Sequence, residues 1–168
     1  MNEFDNIDDH FARYARELSE DPSARFAALR QCSFFQPVPD DWLRRMSEMA
    51  QVKTFRSDVC VTTQDEEMRA FYVILYGSAE AYRNGKVVGR IETGDCFGEG
   101  IFFADGQITT SATVIADDKF VAAEFSKTVV EAMHADAQAM VSMNKALMLA
   151  LFKKLNAANR KIERLMLV

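Results

Sequence analysis

All seven glycines of this chain lie between Gly77 and Gly106, all three prolines lie before Asp40, and residues 107–168 contain neither. Glycine permits the positive φ that tight turns require, and proline stops helices. Their sorting predicts helices broken by proline at the start, a turn-rich β region in the middle, and last strands followed by a long helix. At 168 residues the chain suits one domain in three parts, 1–50, 51–126 and 127–168. A chain of this size buries roughly 68–70% of its unfolded surface, so it needs no metal or disulfide to fold.

Residues 1–50 read as helical. Phe11, Tyr14, Ala15 and Leu18 form one apolar stripe. Glu20-Asp21-Pro22-Ser23 breaks it, and a second short helix carries Phe26, Leu29 and Ala27 or Ala28. Ser33 to Pro39 is a connector, and a third helix starting at Asp40 or Asp41 turns Leu43, Met46, Met49 and Ala50 inward.

From Gln51 the period becomes that of strands: Val52 and Thr54, Val59 and Val61, then the run Phe71 to Tyr76. Asn84-Gly85 between two β-type runs signals a hairpin with a type I′ turn. Thr110 to Ala116 and Phe120 to Phe125 look like two further strands. Short strands with glycine at the turns indicate an antiparallel barrel or sandwich.

From Lys127 to Val168 the pattern predicts one long helix. Met133, Ala137, Met140, Asn144, Leu147 and Leu151 alternate four and three residues apart; after one shift of frame Leu155, Ala158, Ile162 and Leu165 continue the seam. A narrow stripe of this kind suits a coiled coil, in which Asn144 would fix register. We therefore expect a homodimer through 133–165. The other reading, a helix folded back on its own barrel, stays open.

Charge follows the same division. Residues 127–168 hold seven basic residues against three acids, whereas the whole chain has a net charge of −5. The basic tail reads as the solvated flanks of a coiled coil, and the acidic balance argues against general nucleic-acid or anionic-membrane binding. The polar N-terminus is not a secretory signal, and no apolar run approaches the ~18–20 residues of a membrane span. Cys32, Cys60 and Cys96 are widely spaced without a CxxC pair, and the histidines are His10 and His134. Reduced thiols in a cytoplasmic protein are expected, with no metal site. No Ser/His/Asp arrangement, Cys/His pair at motif spacing or paired-carboxylate signature points to an enzyme.

The stretch that carries chemistry is Gly94-Asp95-Cys96-Phe97-Gly98-Glu99, followed eleven residues later by Thr110-Ser111-Ala112-Thr113-Val114. A glycine-rich bend leading to a short helix exposes backbone N–H groups, and a helix N-terminus adds positive potential; together they can hold a phosphate. A carboxylate such as Glu99 suits a sugar hydroxyl. The glycines could equally serve only to turn a barrel.

The order of these elements resembles the cyclic-nucleotide-binding domain superfamily, in particular the catabolite activator class of bacterial regulators, over roughly Phe34 to Leu165. Phe71-Tyr72-Val73-Ile74 with Gly77-Ser78 is similar to the family's "YxI…G-S" strand, Gly94 to Glu99 to its "G-D-x-F-G-E" signature, and Ser111 to Val114 to the strand after the phosphate cassette. The resemblance implies a mainly β fold with flanking helices: an eight-stranded β-roll (a double-stranded β-helix or jelly roll) with N-terminal helices and a long C-terminal dimerisation helix. It implies cAMP or cGMP held in the roll. Glu99 would take the ribose 2′-hydroxyl, and the backbone around Phe97, Gly98 and Gly100 would approach the phosphate.

Three departures matter. The family's binders place an arginine before the small residues of the next strand. Here the nearest residue is Thr110, and no Lys or Arg occurs between Arg90 and Lys119. Losing a charge-assisted hydrogen bond of about 1.5–3 kcal/mol weakens binding by about tenfold to over a hundredfold. Thr109, Thr110 and Ser111 could donate hydroxyl hydrogen bonds instead. Two turn glycines common in the family are absent, and Ser57 and Asp65 stand near their places. The chain stops after the long helix, leaving no residues for a helix-turn-helix, so direct DNA binding is not expected. On that helix the family often has Thr-Ser where Ala158-Asn159 stands. Asn159 could pair with a purine edge, or be an exposed helix asparagine.

The expected function is a cyclic-nucleotide sensor signalling through its C-terminal helix to a partner protein. A protein-interaction module that kept the fold and lost the ligand is the alternative, and a haem or redox sensor a third.

Overall fold

The structure is a computed structural model that describes residues 3–103 and 108–166. Its elements run α1 (Glu3–Glu20), α2 (Pro22–Gln31), α3 (Asp40–Met49), β1 (Gln51–Phe55), β2 (Cys60–Thr62), β3 (Ala70–Tyr76), β4 (Ser78–Arg83), β5 (Lys86–Glu92), β6 (Cys96–Phe97), β7 (Thr113–Ala116), β8 (Phe120–Ser126), α4 (Lys127–His134) and α5 (Ala137–Met166). Short 3-10 turns occupy Ser33–Phe35 and Glu99–Phe103. Among the described residues, eight strands form two four-stranded antiparallel sheets, ordered β1-β8-β3-β6 and β2-β7-β4-β5. This is the eight-stranded roll with flanking helices.

β3 explains why its sequence is continuously apolar instead of alternating. Phe71, Val73 and Leu75 face the helices, whereas Ala70, Tyr72 and Ile74 face the inside of the roll. A strand buried on both faces has no polar face to show. β8 does the same, with Val121, Ala123 and Phe125 outward and Phe120 and Ala122 inward. Phe71 is the hub of the helix-side core, its ring 5.2 Å from Phe34, 5.2 Å from Phe102 and 5.8 Å from Phe125. The β4–β5 hairpin turns at Asn84 (φ 50°) and Gly85 (φ 73°), both positive as a type I′ turn requires. Asp65 takes positive φ, 66°, but at the earlier turn it is Asp58, at 65°, and not Ser57 that does so. Asp tolerates this region better than Ser, since its carboxylate can hydrogen-bond locally.

The first three helices are held by a residue the sequence does not flag. Arg25 is buried and its guanidinium donates to Ser47 O at 2.7 Å, Leu18 O at 2.7 Å and Ser19 O at 2.8 Å. These carbonyls belong to the last turns of α1 and α3, where intrahelical donors run out. One planar fork thus caps two helix ends. Arg25→Met should cost about 2–3 kcal/mol in urea unfolding, because buried carbonyls lose charged donors. Arg25→Lys should recover less than half of that, since one ammonium cannot span both helices.

The C-terminal segment corrects the expectation of one unbroken helix. The chain leaves α4 at Ala135, and Asp136 starts α5 by accepting from Gln138 N and Ala139 N, both at 3.0 Å. A side-chain cap therefore ends the helix without glycine or proline. The single apolar seam also resolves into two stripes. Met133, Ala139, Met143, Ala146 and Leu147 are buried in the chain's own core. Val141, Met148, Leu155 and Ile162, spaced seven apart, are exposed, with Asn144, Leu151 and Leu165 on the same face. The frame shift needed in the sequence came from crossing between the two stripes. The fold-back reading thus holds for the first half of α5, and Met133 and Leu147 are not available to a dimer. Among the described residues no helix is long and apolar enough to cross a membrane.

Candidate functional site

The glycine-rich stretch folds around β6. Gly94 N donates to Ile74 O at 2.8 Å, and Ile74 N to Asp95 O at 3.0 Å, which docks the bend onto β3. Tyr72 lies opposite Phe97, and their rings stack 4.7 Å apart at 10°. Gly98 then turns with φ 77°, and the chain enters the 3-10 turn Glu99–Phe103. Five residues of 3-10 geometry carry little macrodipole, so the positive potential expected from a helix N-terminus is not supplied here.

These elements border a cavity of about 340 Å3 between the sheets and α5. This lies within the range of small-ligand sites. Of the residues singled out in the sequence, Phe97, Gly98, Glu99, Thr110 and Ser111 line it. Val88, Gly89, Ile91, Ala81, Met68 and Val114 make most of its apolar wall, and Ala157 and Ala158 cover it from α5.

Three candidates stand elsewhere. Gly100 packs beneath the turn, where a Cβ would lie 3.2 Å from Met68 Cε and 3.3 Å from Ile108 Cδ1. Thr109 is exposed and bridges to Glu67. Asn159 lies with Asn156, Lys153, Arg160 and Glu163 on a separate polar face of α5, outside the cavity lining. Thr110 lines the cavity, yet its hydroxyl is spent: buried, it donates to the backbone carbonyls of Thr63 and Glu66. It holds the turn at Asp65 instead of offering a donor in the arginine's place.

A positive charge reaches the cavity from another element. Lys154 of α5 lines the cavity, donates to Glu99 Oε1 at 2.7 Å and to Cys96 O at 2.9 Å. On either side of it Lys153 pairs with Asp95 at 2.9 Å and Lys161 donates to Val87 O at 2.9 Å. The lysines that read as solvated flanks of a coiled coil thus bind α5 to the roll. Lys154 is 43% exposed and Glu99 16%, so the pair contributes only roughly 0–1 kcal/mol to stability. Its importance is the charge it sets beside the cavity. Arg90 also lines the cavity, but its guanidinium is engaged by Asp117 at 2.7 Å, Ser78 Oγ at 3.0 Å and Glu92 at 3.4 Å. Lys153-Lys154, one turn before Ala157-Ala158, was the available signal for this site.

The cysteines do not form a reactive group. Burial pushes the Cys32 thiol up to about 11 and the Cys96 thiol up to about 12, the latter despite the nearby Lys154 ammonium. Both are protonated at neutral pH, and Cys60 is exposed. His134 sets its ring edge-on to Phe102, centroids 6.2 Å apart. Among the described residues no three His, Cys, Asp or Glu side chains gather as metal ligands.

Residues 52–137 match the family model of the cyclic nucleotide-binding domain. No curated protein sequence matches the chain. Among solved structures, a protein of Geobacter metallireducens GS-15 assigned to cyclic nucleotide binding superposes with a TM-score of 0.67 at 16% identity, over 76% of this chain and 95% of that one. The sensor domain of the transcriptional regulator DNR from Pseudomonas aeruginosa gives 0.62 at 18% identity, over 84% and 93%. The regulatory domain of Toxoplasma gondii PKA, crystallised with cAMP, gives 0.61 at 19% identity, over 74% of this chain and 49% of that one. At these identities the superpositions establish the fold alone, but the family model spans just over half of the sequence and contains the Gly94–Glu99 turn that borders the cavity. On that match the chain belongs to the cyclic nucleotide-binding domain family.

Proposed function

We propose that this chain is a regulatory module that senses a cyclic nucleotide, cAMP or cGMP, in the roll and reports it through α5 to a partner protein, as a homodimer. The observation that carries this reading is the shared cavity: Gly98-Glu99 on one side and Lys154, Ala157 and Ala158 on the other border the same 340 Å3. A ligand there touches turn and helix together, and one that favours the docked helix shifts its population. The similarity to a cAMP-bound regulatory domain and to a sensor domain supports it. Calorimetry with each nucleotide should give saturable heat. Discrimination between cAMP and cGMP should stay below about tenfold, since the helix presents two alanines where a base-edge reader would stand. No heat and no thermal shift at millimolar nucleotide would sink the sensor reading.

One observation favours a second reading, an interaction module without ligand. Thr110 replaces the cassette arginine and its hydroxyl is turned into the backbone. Under that reading Glu99→Ala leaves partner binding unchanged and nucleotide has no effect.

A further inference from the structure

We propose that Lys154 is the cation that meets the anionic group of the ligand in this roll, brought in from α5 instead of from the cassette strand. The inference rests on the reading above that the ligand is a cyclic nucleotide, and names the residue that makes an anion acceptable. Among the described residues the cavity lining holds three charged side chains: Glu99, Arg90 and Lys154. Arg90 is tied to Asp117, and the Thr110 hydroxyl to two carbonyls. Without Lys154, an entering anion would face Glu99 and an Arg90 whose charge is already balanced by Asp117 and Glu92. An ammonium has three donors. Lys154 places one on Glu99 Oε1 and one on Cys96 O, which leaves a third for a ligand oxygen. Glu99 keeps an oxygen to accept from a sugar hydroxyl. The same lysine thus neutralises the carboxylate and pairs with the phosphate.

The placement has a consequence for signalling. A cassette arginine sits on the roll, whereas Lys154 sits 55 residues further along the chain from Glu99, on the helix itself. Ligand charge then holds α5 directly against the roll, and by linkage the docked helix raises ligand affinity by the same factor as the ligand favours docking.

Calorimetry with cAMP and with adenosine, which lacks the phosphate, tests this on the full chain carrying Lys154→Ala, Lys154→Arg or Lys153→Ala. Lys154→Ala should weaken cAMP by roughly tenfold to a hundredfold while adenosine changes less than about twofold. Lys154→Arg should restore cAMP to within about threefold. Lys153→Ala, which loses a docking contact to Asp95 outside the cavity lining, should weaken cAMP and adenosine by the same small factor. Equal losses for cAMP and adenosine in Lys154→Ala, or a loss selective for cAMP in Lys153→Ala as large as that in Lys154→Ala, would mean that Lys154 only docks the helix and would overturn the proposal. So would full cAMP affinity in Lys154→Ala, with the sensor reading left standing. If the unsubstituted chain binds neither cAMP nor cGMP, the sensor reading falls and takes this assignment with it.

Discussion

Gly98→Ala is expected to destabilise the protein by about 2–5 kcal/mol and to abolish any thermal shift with cyclic nucleotide. Two costs add. The residue sits at φ 77°, where an L side chain costs roughly 1–2 kcal/mol. A Cβ there would lie 2.4 Å from Ala70 O and 3.4 Å from Phe71 Cα, both backbone atoms of β3. Neither can swing aside as a flexible side chain could, so overpacking adds about 1–3 kcal/mol. Relief requires β6 to move off β3, and that displaces Glu99 and with it the partner of Lys154. Gly85→Ala is the control, because φ is 73° there but nothing lies within 4 Å of the added Cβ. It should cost only about 1 kcal/mol. Urea midpoints of the two variants compare them directly; equal losses would show that contact with β3 is not what requires glycine at 98.

The site's two halves were unequally legible in the sequence for a physical reason. Backbone devices announce themselves locally: the Gly98 turn, the Asn84-Gly85 hairpin and the β3 run all follow from residues within a few positions of one another. The Lys154–Glu99 pair depends on α5 returning across the roll; Lys153-Lys154 marks the charge on the helix, but nothing local says what it meets. Arg25 was hidden differently. A lone arginine in a short helix reads as solvent-exposed, and its burial depends on where α1 and α3 end. The α4–α5 break was written in the sequence as Asp136, but a seam of apolar residues running across it outweighed one capping residue. The same seam merged two stripes because inner Leu147 and outer Leu151 are four residues apart, a spacing that also fits a single face.

Separating those stripes makes the homodimer testable without harming the fold. Met148 and Leu155 occupy equivalent positions seven residues apart and are 69% and 57% exposed. Substituting exposed helix residues usually changes stability by less than about 0.5 kcal/mol. In a dimer both would lie in the seam, and Met148→Glu with Leu155→Glu would set four carboxylates into it. Four apolar side chains would each forgo about 1.5–3 kcal/mol of burial, so dissociation should strengthen at least a thousandfold. By light scattering the unsubstituted chain should run at twice its 19.0 kDa mass and the double variant at 19.0 kDa, with unchanged helical circular dichroism. Leu147→Ala, on the inner stripe, should do the reverse, lowering stability by about 2–5 kcal/mol while leaving the dimer intact. A monomeric unsubstituted chain would remove the homodimer from the proposed function. Calorimetry on that monomer would then show whether the cavity binds nucleotide without a dimer.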